Sequence, residues 1–134
     1  MPTVTINDLD GGVLAFDLRD VLRVLAPSSE RATWTITHPD ESPFEATGGA
    51  APRLEELAET SAQIGGSELL ALADDTQQVI WGDFTGVLPD APDQEWLTIR
   101  AFDSSFFEVT TSDLAAIAKL KTRFRDVRVA AEPI

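Results

Sequence analysis

The chain has 134 residues, with 23 acidic and 10 basic side chains, a formal charge of −13 and no cysteine. That length fits a single domain, residues 1–134, large enough to bury a core without a covalent staple. The missing thiols exclude disulfides and thiolate metal sites, and a body this negative repels phosphate backbones, so nucleic acid is not an expected ligand.

Asp17 to Leu25 reads as the first helix. Leu18, Val21, Leu22 and Leu25 share one face, Asp17 can cap the start, and Pro27 stops the run. Val13–Phe16 is either its first turn or a strand paired with Thr3–Ile6 across Asp10-Gly11-Gly12. Arg31–His38 alternates, with Ala32, Trp34, Ile36 and His38 on one side and Thr33, Thr35 and Thr37 on the other, as in a strand with one buried face. A turn-rich stretch with a short strand near Phe44–Ala46 follows. Pro52–Ile64 then reads as a helix closed by Gly65-Gly66. Glu68–Ala73 is ambiguous in period. A strand is preferred over a short helix there, because Asp74–Gln77 resembles a hairpin loop leading into the strand Gln78–Leu88.

Pro89–Asp93 is an expected exposed acidic loop, and Glu95–Phe102 with Phe106–Thr111 a hairpin. Its register can be derived. A three-residue loop sets Phe102 against Phe106, Arg100 against Glu108 and Thr98 against Thr110, each a favourable pair. A slip of one residue would mix the two faces. Ser112 is the expected cap of a last helix whose inner stripe is Leu114, Ile117, Leu120 or Lys121, and Phe124. The expected fold is α+β, an antiparallel sheet of four to six strands packed with about three helices.

Charge is unevenly spread. Residues 1–111 hold 20 acids and five bases, while Lys119, Lys121, Arg123, Arg125 and Arg128 cluster near the C-terminus, where they complement a helix dipole. The acidity either serves solubility or steers a basic partner inward. No run approaches the roughly 18 apolar residues of a membrane span. Met1 to Asp10 has neither the basic nor the apolar region of a secretory signal. A cytoplasmic location, with no membrane association, is expected.

The catalytic inventory is thin. The single histidine, His38, lies at a strand end beside Asp40 and Glu41 and has no partner motif. There is no Gly-x-Ser-x-Gly elbow and no phosphate loop. Asn7-Asp8-Leu9-Asp10-Gly11 ends like a calcium loop, but its first ligand position falls on Ile6. The expectation is a protein that is not an enzyme and carries no metal or cofactor.

What remains is a binding face. In the derived register Trp96, Phe102 and Phe106 share a sheet face with Arg100 and Glu108, and Trp81 and Asp83 extend it from the preceding strand. Aromatic anchors mixed with charge are typical of recognition surfaces. Asp93, Glu95 and Asp103 lie in loops at strand ends and would pair with basic groups of a partner. The competing reading is that a second helical layer covers these aromatics as core.

The stretch Val79-Ile80-Trp81-Gly82-Asp83-Phe84, followed by Trp96 to Val109, resembles small acidic bacterial proteins that include immunity proteins of toxin systems. The resemblance covers the C-terminal half. It implies a basic toxin or enzyme neutralised by occlusion. Two alternatives stay open: a homodimeric or assembly subunit, and a small-molecule-binding domain with a cleft near His38.

Overall fold

The structure, a computed structural model, describes residues 2–129. It is α+β. The chain runs through β1 (Thr3–Ile6), β2 (Leu9–Asp10), β3 (Val13–Leu14), α1 (Leu18–Val24), α2 (Ser28–Arg31), β4 (Thr33–Thr37), β5 (Glu45–Thr47) and α3 (Ala51–Thr60). It continues through β6 (Gln63–Gly65), α4 (Gly66–Asp74), β7 (Gln78–Val87), β8 (Leu97–Phe102), β9 (Phe106–Thr111), α5 (Leu114–Arg123) and β10 (Val127–Val129). The main sheet has eight strands in the order β10-β1-β9-β8-β7-β4-β6, with β5 alongside β7. Every pairing in it is antiparallel. The sheet is wider than expected, and the described residues hold five helices instead of three.

Strand alternation sorts the residues. Val4, Ile6, Trp34, Ile36, Phe84, Leu97, Ile99, Ala101, Phe107 and Val109 point inward and are essentially inaccessible to solvent. They merge into one core with Leu18, Val21 and Leu22 of α1, Leu54 and Leu57 of α3, Leu69 and Ala73 of α4, and Ile117 and Leu120 of α5. The derived hairpin register is the observed one: Phe102 faces Phe106, Arg100 faces Glu108 and Thr98 faces Thr110.

Four local expectations are corrected. The Glu68–Ala73 segment is helical, because Leu69 and Ala73, four residues apart, bury together on one helical face. Asp74–Gln77 is therefore a helix-to-strand connection and not a hairpin loop. The helix predicted to reach Ile64 stops at Thr60, with Ser61 in the left-handed region (φ 51°). Ile64 instead pairs with Trp34 across β6 and β4. Residues 13–14 pair with Leu9–Asp10 in a separate small ribbon, while β1 pairs with β9 and β10. Finally, α5 is capped by Asp113 and not Ser112. The Asp113 carboxylate accepts from Ala115 N–H at 3.0 Å and Ala116 N–H at 3.2 Å, and Leu114 is 71% exposed.

Two close approaches at glycines fix the packing, one between strands and one between helices. Gly86 presents no side chain under the Trp34 ring, whose atoms lie 3.0 Å from where a methyl group would sit. Gly66 starts α4 wedged against α2. Its N–H donates to Ala32 O at 2.9 Å, and a methyl group there would overlap the Ser29 carbonyl oxygen and lie 2.7 Å from the Glu30 backbone. By contrast, a methyl group on Gly65 would meet nothing within 4 Å.

Asp17 ties the N-terminus of α1 to the start of β7. Its Oδ1 accepts from Val79 N–H at 3.1 Å. The carboxyl group is buried and its Oδ2 has no hydrogen-bond partner. Burial pushes its pKa up to about 6, against the opposing Val79 and Leu18 amides and Arg19. An acid with a raised folded-state pKa favours folding while protonated. That contribution is lost as pH climbs from the unfolded value through the folded one.

Two outcomes are expected. Gly66→Ala lowers the unfolding free energy by about 2 kcal/mol or more, while Gly65→Ala stays within about 0.5 kcal/mol of wild type, as read by urea titration. Asp17→Asn keeps an acceptor for Val79. Its stability relative to wild type improves by about 2–3 kcal/mol between about pH 4 and pH 7, and a difference independent of pH would contradict the burial argument.

Candidate functional site

Among the described residues no helix packs on the outward face of the sheet. It is organised as rows that run across the strands, because opposed residues in antiparallel neighbours project to the same side. The first row is Glu45, Trp81, Phe102 and Phe106, set by the pairings of β5, β7, β8 and β9. The second is Thr37, Asp83, Arg100, Glu108 and Thr5. The third is a row of threonines across five strands, Thr35, Thr85, Thr98, Thr110 and Thr3. Hydroxyl pairs link it, Thr85 to Thr98 at 3.2 Å and Thr3 to Thr110 at 2.9 Å.

The aromatic row is continuous. Trp81 meets Phe102 edge-on at 6.0 Å between centroids, and Phe102 stacks on Phe106 at 4.9 Å. All three are partly exposed, and none belongs to the core cluster. The reading in which a second helical layer buries Phe102 and Phe106 is overturned, since α1, α3, α4 and α5 all commit their apolar faces to the single core on the other side.

Beside the aromatics, charge is unbalanced. Arg100 lies between Asp83 and Glu108, and its Nε is 3.6 Å from Asp83 Oδ2. That separation is too long for a hydrogen bond. Asp83 Oδ1 is covered and has no hydrogen-bond partner among the described residues. Burial raises the Asp83 pKa. Arg100 opposes the shift, and the carboxylates of Glu41, Asp40 and Glu108 reinforce it. The next base along the row, Arg128, opposite Thr5, is engaged with Asp126 at 2.8 Å.

Of the predicted site residues, Trp81, Asp83, Arg100, Phe102, Phe106 and Glu108 come together on this face. Asp103 adjoins it in the hairpin loop, with φ at 47°. Asp93 and Glu95 do not join it. They are exposed in the β7–β8 connection, at the far end of β8, about 17 Å away for a strand of that length.

Trp96 is a correction. It precedes β8 and turns to the core side, where it meets Trp34 edge-on at 6.0 Å. Its indole N–H donates to Asp113 Oδ2 at 2.9 Å, and its carbonyl accepts from Thr111 Oγ1 at 2.6 Å. Trp96 therefore locks the β7–β8 connection to the start of α5. Conversely, sequence reasoning passed over Glu45, Asp40 and Glu41 as site residues. Glu45 was detectable as the exposed neighbour of Phe44 in an alternating strand, but the approach of the 38–44 loop to Asp83 has no local signal.

The remaining candidates resolve into other roles. His38 is exposed, and its Nδ1–H donates to the Pro39 carbonyl at 2.8 Å. It lines a cavity of about 260 Å³ with Pro43, Phe44, Glu55, Ala58 and Glu59, slightly below the usual range for small-ligand sites. Asp8, from the stretch that resembles a calcium loop, accepts from the backbone N–H groups of Arg125 and Asp126 at 2.8 and 2.6 Å. Among the described residues no helix is long and apolar enough to cross a membrane.

No protein-family model, no curated protein and no solved structure matches this chain.

The different positions of the tryptophans predict different costs. Trp96→Ala destabilises the fold by about 3–5 kcal/mol, whereas Trp81→Ala costs about 1 kcal/mol, both measured by chemical denaturation. Equal costs would place Trp81 in the core.

Proposed function

We propose that this protein is an acidic protein-binding module whose open sheet face captures a basic protein, in the manner of an immunity protein that occludes a toxin or enzyme. The observation that carries this reading is the uncovered row Trp81, Phe102 and Phe106 set against Asp83, Glu45 and Glu108. Large half-exposed aromatics supply contact area at low entropic cost. The surrounding acids, within a chain of charge −13, steer a cationic surface toward them.

A rigid, hydrogen-bonded sheet suits occlusion, because little ordering entropy is lost on docking. No catalytic step is assigned to the protein; it acts by covering the partner's site with carboxylates that imitate a charged substrate. The lack of cysteine suits a reducing compartment such as the cytoplasm.

The test is capture from the source cell by the immobilised protein at low and high salt. One basic protein is expected, retained by wild type at low salt and released as salt screens the charge. It is lost in Trp81→Ala and in Asp83→Lys, both of which remain folded. Self-association alone, or capture indifferent to both substitutions, would reject the proposal and favour a homodimeric assembly role.

A further inference from the structure

The open face has an internal charge mismatch, and this mismatch specifies the chemistry of what should bind there. In the row Asp83–Arg100–Glu108 two carboxylates flank one guanidinium. Arg100 reaches Asp83 only at 3.6 Å, and the Asp83 carboxylate makes no hydrogen bond to any described residue. Asp40 and Glu41 add their negative potential at the same point. Glu45 adds another carboxylate at the edge of the aromatic row, directly across from Trp81. Farther along the same row, Arg128, opposite Thr5, is held in two contacts by Asp126.

A side chain that is 15% exposed and lacks a hydrogen bond is costly for a charged carboxylate. An incoming donor would remove that cost. The neighbour of Asp83 on the same face is Trp81, two residues along β7, so the two side chains stand about 7 Å apart along the strand. That spacing leaves an aromatic surface next to an acceptor. A planar guanidinium can stack on the first and donate to the second at once. An ammonium offers only a point charge, and a neutral urea group offers shape without charge. Rotation about the soft terminal torsion of Asp83 can present either of its oxygens.

We propose that Trp81 and Asp83 form a receptor for an arginine side chain, and that the basic partner inserts one arginine there as its anchor. This assignment rests on the reading of the open face as the interface, and it adds the identity of the anchoring residue. Phe102 and Phe106 continue the apolar floor beyond Trp81 and would carry the flanking side chains of the partner segment.

The test needs no knowledge of the partner. The protein is labelled with ¹⁵N, and its three tryptophan indole N–H signals are followed during titration with N-acetyl-arginine methylamide. The lysine analogue and the neutral citrulline analogue are titrated separately. Trp34 and Trp96 serve as internal controls, because their indoles are bonded to Ser29 O and Asp113. The expected result is a saturable shift of the Trp81 signal with the arginine compound. It is several-fold weaker with lysine, absent with citrulline, and abolished in Asp83→Asn, whose Trp34 and Trp96 signals stay in place.

A Trp81 signal that does not respond to arginine, that responds equally to citrulline, or that still responds in Asp83→Asn would overturn the receptor. If those results coincide with capture of a basic protein that depends on Trp81, the arginine anchor fails and the interface stands. A positive titration without any such capture supports the anchor and sinks the wider reading.

Discussion

The decisive constraint in this molecule is that the helices pack on one face of the sheet only. The strands β1, β4, β8 and β9 alternate inaccessible residues with more exposed ones, as in Val4 and Ile6 against Thr3 and Thr5, or Leu97 and Ile99 against Thr98 and Arg100. The inner set joins the apolar stripes of α1, α3, α4 and α5 in a single core. Removing that apolar surface from water is the main force available to a domain of this size. With every helical stripe used on one side, no described helix covers the other, and Trp81, Phe102 and Phe106 remain partly exposed.

The bare face is held by features that bind the layers together elsewhere. Trp34 lies under Gly86 and donates to Ser29 O, whose own residue bonds back to Leu22 through its hydroxyl. Trp96, Thr111 and Asp113 join the β7–β8 connection to α5. These buried polar groups are satisfied, as groups withdrawn from water must be. Asp83 is the contrast on the open face, a carboxylate partly withdrawn from water whose nearest base stands too far off to donate. Unmet polar groups are rare in folded proteins, and one beside an exposed aromatic row is the observation on which the proposed arginine receptor rests.

Much of this was readable in the chain itself, and the successes share a cause. The predicted Arg31–His38 strand, observed as Thr33–Thr37 with Arg31 closing α2 and His38 exposed beyond the strand, and the 97–111 hairpin have strict period-two patterns, and the charge and aromatic pairs of the hairpin admit one sensible register. The α1 stripe is equally plain. Reading failed where the local pattern was short or neutral. Glu68–Ala73 has too few residues to separate a buried helix from a strand by periodicity. Ile64 matches the stripe of the preceding helix but pairs with Trp34, because Ser61 breaks the helix in a left-handed conformation that serine rarely adopts. Trp96 has the parity of Arg100 and Phe102, yet it lies outside the strand, where parity no longer dictates direction.

Sequence alone therefore determined the antiparallel α+β class, the hairpin register, and the grouping of Phe102, Phe106, Arg100 and Glu108 on one face, because these follow from side-chain alternation over a few consecutive residues. Only the tertiary structure decided that this face is uncovered, that Trp96 belongs to the core, that Asp93 and Glu95 stand at the far end, that Glu45 stands opposite Trp81, and that Asp40 and Glu41 approach Asp83. Those facts depend on which side of the sheet each helix joins and on where the loops return. Packing between segments distant in the chain sets both, and no local period encodes them.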